Sequence, residues 1–420
     1  MIRKMKDSGI EWIGEIPEEW KTLKIKNIIK IKGIKDHPDE QVLSLYRDLG
    51  IVIKNSRDDN YNRTSENTNN YKYVAQNDLV VNKMKAWQGS IAVSKYKGIV
   101  SPAYYVCTFT RNEIVPFYIH YLLRSSVYFP EYRRLSEGIR PGQWDLSFEN
   151  FRNIAVIVPI WEEQNRMVKY LDQKCTKIDK TIEKQKQVIE KLKAYKQSVI
   201  TEAVTKGLNS DIPMKDSGIE WIGEIPEHWK VVQLSRLFKE RKFKNQNNIE
   251  NNVLSLSYGN IKRRDIDTNM GLLPESFETY NIVEAGNIVL RLTDLQNDHK
   301  SLRCGLVKER GIITSAYVTL GKIMDINTNY YYRLLHTFDI MKGFYGMGDG
   351  VRQSLKYSGE LNKLLLILPP TQEQDNIASY LDCKCSKIDA TIAQKETLIQ
   401  KLIEYKKSLI YECITGKREV

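Results

Sequence analysis

Phe344-Tyr345-Gly346-Met347-Gly348 has the F-x-G-x-G spacing of loops that hold S-adenosylmethionine. Such a loop should follow a strand, open a helix and lead to a catalytic motif. Here it leads to Gly350-x-Arg352 and then a long polar helical block, so a glycine loop without a cofactor is the preferred reading. Gly416-Lys417-Arg418 lacks both the spacing and the hydroxyl residue of a phosphate-cradling loop. Cys383-x-Cys385 has no second pair of cysteines or histidines at metal-ligand spacing, and Cys107, Cys175, Cys304 and Cys413 are scattered. The cysteines therefore read as reduced thiols and no metal is assigned. The Asn-Pro-Pro-aromatic tetrad with which an adenine methyltransferase holds a flipped base is missing. Isolated Asp, Glu, Ser and His residues have no motif to anchor a hydrolytic constellation. No catalytic residue is assigned, and any catalysis is expected on a partner.

What remains is hydrogen-bonding and charged side chains. The 420 residues carry a net charge of +12 at a pI near 9.1. A surplus of that size suits a polyanion such as DNA through counterion release, and would equally suit ribosomal RNA or an acidic membrane surface. If the partner is DNA, side chains on loops that differ between related domains would read base edges, while phosphate contacts would set position. In the first half the candidates are Asn82, Lys83, Lys85, Trp87 and Gln88, then Arg140, Gln143 and Trp144. In the second they are Tyr258, Asn260, Lys262, Arg263 and Arg264, then Arg291, Thr293, Asp294, Gln296 and Asn297, and finally Arg352, Gln353 and Ser354. Each could equally be a solvated surface or turn residue, and Trp87 and Trp144 could equally be core. Arg140 and Arg352 stand beside a glycine in both halves, which favours a shared task such as phosphate anchoring over base reading.

The elements that would position these residues occur twice. Residues 5–21 and 214–230 agree at 16 of 17 positions, and residues 163–205 align without gaps on 373–415 with 21 of 43 identical. Between the repeated blocks lie stretches of similar length whose shared landmarks keep their order. Val42-Leu43-Ser44-Leu45 matches Val253-Leu254-Ser255-Leu256, Asp78-Leu79-Val80-Val81 matches Asn287-Ile288-Val289-Leu290, and Gly98 to Tyr104 matches Gly311 to Tyr317. The shared runs are short and apolar, as strands are, and the unshared residues are polar, as loops are. One scaffold thus appears twice with its loops rewritten. This divides the chain into 1–21, a recognition domain at 22–158, a helical block at 159–209, a repeated linker at 210–230, a second recognition domain at 231–368 and a second helical block at 369–420.

Residues 176–204 contain neither Gly nor Pro, and Ile178, Ile182, Ile189, Leu192 and Val199 fall on the four-and-three spacing of a coiled-coil seam. Gln185 and Lys196 are its polar members; Ile388, Ile392, Ile399, Leu402 and Leu409, with Lys395 and Lys406, repeat the pattern. Such a helix is about 43 Å long. Mutual antiparallel packing is favoured over packing of each helix on its own domain, because the stripe is narrow and the opposite face charged. It would relate the halves by an approximate two-fold axis and hold two readers apart, close to the spacing of major-groove sites one turn apart. The fold class expected is mixed α/β, with two largely antiparallel sheet domains joined by two long antiparallel helices. With 41% hydrophobic and 28% charged residues, no bilayer-length apolar run and no signal-peptide pattern at the start, a cytoplasmic globular protein is the default.

Ser8 to Pro17 with Glu18-Glu19-Trp20, and their second copy from Ser217 to Trp229, resemble the opening of type I restriction–modification specificity subunits. Pro159-Ile160-Trp161-Glu162-Glu163-Gln164 and Pro369-Pro370-Thr371-Gln372-Glu373-Gln374 resemble that family's approach to its helices, and Asn82 to Gly89 resembles a stretch of its recognition domains. The resemblance spans the whole chain. It implies a DNA-binding subunit without catalytic activity that reads an asymmetric bipartite target. It implies as partners two modification subunits, which methylate adenine at N6 with S-adenosylmethionine, and restriction subunits that use ATP and Mg; no cofactor is expected on this chain. Trp12, Trp20, Trp221 and Trp229 lie in an unchanged repeat and cannot encode two half-sites. They are read as structural, packed against the ends of the long helices or against a modification subunit.

Overall fold

The structure is a computed structural model that describes residues 3–56, 67–138, 144–264, 276–295, 302–347 and 354–420. The chain forms two compact units. The first holds residues 1–186 and 396–420, the second residues 187–395.

In the first unit a four-stranded antiparallel sheet has the order Ile29–Lys32, Tyr104–Phe109, Leu79–Asn82, Ile91–Val93. In the second unit Phe238–Glu240, Val318–Lys322, Ile288–Leu290 and Cys304–Leu306 pair in the same order. The apolar runs in the middle of each sheet are buried on both faces. Alternate side chains of a strand point to opposite faces. Accordingly Leu79 and Val81 join the main core of their unit, and Val80 joins a second, smaller core. Ile288 and Leu290 against Val289 repeat the division. The second core is closed by a hairpin, Leu43–Tyr46 with Gly50–Ile53 in one unit and Leu254–Ser257 with Asn260–Arg263 in the other.

Each sheet domain is closed at its base by one antiparallel pair. Lys21–Lys24 pairs with Ala155–Val158, and Lys230–Gln233 pairs with Leu365–Leu368. The Ile25 N–H donates to the Ile154 carbonyl (3.0 Å) and the Leu234 N–H to the Leu364 carbonyl (2.8 Å), so chain start and chain exit lie side by side in both.

The long helices run Trp161–Lys206 and Thr371–Ile414. They begin well before the seam that the sequence marks. Met167 and Leu171 belong to the core of the first unit, as Ile377 and Leu381 belong to that of the second. Packing on the helix's own domain and pairing with the other helix are therefore successive stretches of one stripe, not alternatives. Pairing follows: in the first unit Lys406 Nζ meets the Asp179 carboxylate at 2.6 Å, and in the second Lys196 Nζ meets that of Asp389 at 2.6 Å. In the first unit Arg166 also reaches the Val420 carbonyl, so the two segments run antiparallel. The seam positions Ile178, Ile189, Ile388, Ile399 and Leu409 are buried, while Gln185, Lys196, Lys395 and Lys406 are half-buried as its polar interruptions.

Two of the four repeated tryptophans, Trp20 and Trp229, sit where these helices begin and end. Trp20 and Trp229 are fully buried, and their indole N–H groups donate to Glu163 and Glu373 at 2.9 Å, in the first turn of each helix. The adjacent Gln164 and Gln374 are also fully buried. Gln164 accepts from the Val115 N–H and donates to the Glu113 and Pro159 carbonyls; Gln374 accepts from the Asn327 N–H and donates to the Pro369 carbonyl. The repeated Glu-Gln pair thus fastens each helix to its domain. Gly207 (φ +80°) ends the first helix against Trp229, and Gly416 (φ +72°) follows the second against Pro17 and Trp20. A left-handed residue at that position closes a helix, and glycine takes it without a steric penalty.

Five of the six cysteines are buried and none forms a disulfide. Burial pushes the Cys107 thiol up to about 12 and those of Cys175 and Cys413 to about 11. Since the thiolate is the reactive form, iodoacetamide at neutral pH should alkylate Cys383 alone in the native protein, and all six after denaturation. Peptide mass spectrometry reads the difference, and rapid native labelling of Cys107 would contradict this packing.

Candidate nucleic-acid interface

In the first unit the strand Leu79–Asn82 delivers the chain into residues 83–90. Asn82 is buried and hydrogen-bonded to the Tyr104 phenol, so it shapes the loop from beneath and does not present its amide at the surface. Lys83 is half-exposed with its amine 3.0 Å from Asp145, and the Leu146 N–H donates to the Lys83 carbonyl (3.0 Å). Two loops distant in sequence are thereby fastened together. The Trp87 and Trp144 rings seal the contact edge-to-face at 5.4 Å, with the Arg133 guanidinium 5.9 Å from the Trp87 ring. Ala86–Gln88 forms a single 3-10 turn ended by Gly89 at φ +86°, where a Cβ would collide with the Phe129 ring. Lys85 is exposed and Gln88 half-buried.

Cations gather beside this loop. The Lys72 amine donates to the Tyr104 carbonyl (2.6 Å) and lies 5.9 Å from the Tyr105 ring. Its pKa is lowered first by burial and then by the charges of Lys35 and Lys83. The Lys83 pKa is raised, chiefly by its hydrogen bond to Asp145. Lys72 thus feels the charges of both Lys35 and Lys83, and a phosphate beside it would offset that repulsion.

The second unit repeats the frame with other side chains. Ile288–Leu290 leads into Arg291, Leu292, Thr293, Asp294 and Leu295, and the Leu355 N–H donates to the Leu292 carbonyl (2.9 Å), as Leu146 does to Lys83. Arg291, Thr293, Asp294 and Ser354 are half-buried around this junction. Tyr258, Asn260, Lys262 and Arg263 stand apart on the hairpin. Tyr258 (φ +46°) and Gly259 (φ +76°) form its tip, and Tyr258 is 74% exposed. Two successive positive φ values suit a two-residue hairpin turn. Arg263 already engages Asn252 (2.9 Å) and Glu309 (3.4 Å). Arg264 continues the strand, its N–H donating to the Val253 carbonyl. Arg140, Gln143, Gln296, Asn297, Arg352 and Gln353 lie outside the described residues.

Sequence reasoning missed Arg303. Its side chain is fully buried and donates to the backbone carbonyls of Arg291 (3.1 Å), Thr293 (2.9 Å) and Asp294 (3.2 Å). No pattern in Leu302-Arg303-Cys304-Gly305 separates a buried arginine from a surface one. The F-x-G-x-G spacing resolves as packing where it is described: Phe344 is fully buried against Phe338 and Tyr345 lies 5.1 Å from the Arg303 guanidinium, while Gly348 lies outside the described residues. No helix among the described residues is long and apolar enough to cross a membrane.

Comparison with known proteins agrees with this architecture. The type I restriction modification DNA specificity domain matches residues 17–194. The type I restriction enzyme MjaVIII specificity subunit of Methanocaldococcus jannaschii is 27% identical over 96% of this chain and 94% of its own length. The putative MjaX specificity subunit of the same organism is 24% identical over 97% and 96%. Among solved structures, a chain from work on complex assembly and conformational transition of the type I R-M system superposes with a TM-score of 0.70 at 12% identity, covering 96% of this chain and 99% of that one. The HsdS subunit from Thermoanaerobacter tengcongensis gives 0.51 at 12% identity, over 96% and 98%, and both likenesses are of fold. The chain is thus similar to type I restriction–modification DNA specificity subunits, through the domain matched over the first copy of the repeat and through relatives that span nearly its whole length.

Proposed function

We propose that this chain reads an asymmetric, bipartite DNA target, one half through each unit, and has no catalytic activity of its own. The observation that carries this reading is the shared staple, Leu146 to Lys83 in one unit and Leu355 to Leu292 in the other. It holds two loops together in the same frame while the side chains on those loops differ. A common frame with different loops suits two unrelated half-sites, because base edges are read by side chains and the frame carries no sequence information. The lysines at 35, 72, 83 and 85 would hold phosphates, and Arg291, Thr293, Asp294, Ser354 and the Tyr258 hairpin would lie toward the second half-site. Six further candidates outside the described residues, Arg140, Gln143, Gln296, Asn297, Arg352 and Gln353, belong to the same two loop groups by sequence. The paired helices would set the unread spacer.

The chemistry falls to partners: two modification subunits that transfer a methyl group from S-adenosylmethionine to adenine N6, and restriction subunits that use ATP and Mg. The assembly would work in the cytoplasm. Adenine methylation mapped in cells carrying the modification subunits, with and without this chain, tests the proposal. One bipartite motif should be methylated only when the chain is present, and an unchanged methylation pattern would refute the reading.

A further inference from the structure

We propose that Arg303 is a positioning residue that sets the sequence specificity of the second unit by fixing the loop Arg291–Leu295 from within. The inference rests on the DNA-reading function proposed above and concerns a residue that could not touch a base, since it is fully buried. A guanidinium has five N–H donors in a rigid planar fork. Among the described residues this one donates to the carbonyls of Arg291, Thr293 and Asp294, and from Nε to the Tyr345 hydroxyl at 3.3 Å. Tyr345 also places its ring 5.1 Å from the guanidinium carbon. The backbone N–H of Arg303 donates to the carboxylate of Asp339, itself buried, which puts a countercharge beside the arginine.

Three carbonyls within four successive residues pointing at one cation is not a conformation a loop keeps unaided. Their dipoles repel when aligned, and Asp294 sits at φ +56°, in the left-handed region that side chains other than glycine rarely occupy. The guanidinium satisfies all three carbonyls at once, so the side chains of Arg291, Thr293 and Asp294 are presented in one arrangement. A lysine has a single point of charge on a flexible stem and cannot reproduce the fork. The first unit solves the same problem differently. Its loop is braced by the Trp87–Trp144 ring contact and the Lys83–Asp145 ion pair, and Ser90 stands before the returning strand where Arg303 stands in the second. The brace is therefore particular to one unit, and its loss should affect one half-site.

Arg303→Lys is tested in the full chain, together with its modification subunits, by mapping adenine methylation in cells. The half of the motif read by the second unit should lose definition, with methylation of the original site reduced roughly tenfold, the effect of a typical lost base discrimination. The half read by the first unit should be unchanged, which a general loss of folding would not leave intact. Tyr345→Phe removes one acceptor and keeps the ring, so it should relax the same half more mildly; if Arg303→Lys fails to assemble, this variant decides. An unchanged motif at unchanged occupancy in the variant that assembles would overturn the role of Arg303. A wild-type chain that directs no bipartite motif would instead overturn the underlying function.

Discussion

Trp20→Ala and Trp229→Ala should each destabilise the unit that holds them by about 3–5 kcal/mol, the usual cost of deleting a large buried aromatic side chain. For units of this size that corresponds to a fall in melting temperature of roughly 10 °C. Both rings are fully buried, and each is the partner of a glutamate in the first turn of a long helix. Removing Trp20 opens a cavity in the core and leaves one oxygen of Glu163, a nearly buried residue, without its indole donor; Arg3 still holds the carboxylate. Trp20→Phe keeps a six-membered ring and loses the pyrrole part of the indole together with its N–H donor, so it should cost less than alanine. The lost hydrogen bond to a charged group contributes about 1.5–3 kcal/mol of that cost. Calorimetry on the purified chain separates the two, and an alanine variant that melts with the wild type would contradict this description of the junction.

The second large effect concerns specificity. Because the strand pairs Lys21–Lys24 with Ala155–Val158 and Lys230–Gln233 with Leu365–Leu368 bring start and exit of each domain side by side, the sequence between them can be exchanged as a block. The hydrogen bonds Ile25 to Ile154 and Leu234 to Leu364 mark equivalent cut points. Replacing Ile25–Ile154 with Leu234–Leu364 should give a chain that folds, because the grafted block brings its own cores and its own Arg303 brace. Some repacking is expected where the block meets Met167 and Leu171 of the first helix, since these belong to the core of the first unit.

Much of this was legible in the sequence, for identifiable reasons. The internal repeat is long, and the seam from Ile178 to Val199 has a fixed period, so architecture and helix pairing could be read directly. The helices were read short at their N-terminal ends, because Met167, Leu171 and Cys175 continue the stripe through a strongly polar stretch. The structural role of Trp20 and Trp229 followed from their constancy between copies, and their glutamate partners followed only from the three-dimensional structure. Single side chains at the interface were least legible. Asn82 carries the amide of a base reader and is buried, and Arg303 looks like a surface cation and is the brace of a loop. Burial of one polar residue depends on what packs over it, and neither residue type nor spacing records that.

Methylation mapping of the block-exchanged chain tests the central claim most directly, namely that each unit reads its own half-site from loops carried on a common frame. The ion pairs Asp179–Lys406 and Asp389–Lys196 are repeat equivalents, so a chain carrying the same block in both units should read the same half-site twice. The account predicts that the half formerly read by the second unit is present twice, on both sides of an unread spacer. Methylation that keeps the original asymmetric motif would contradict it.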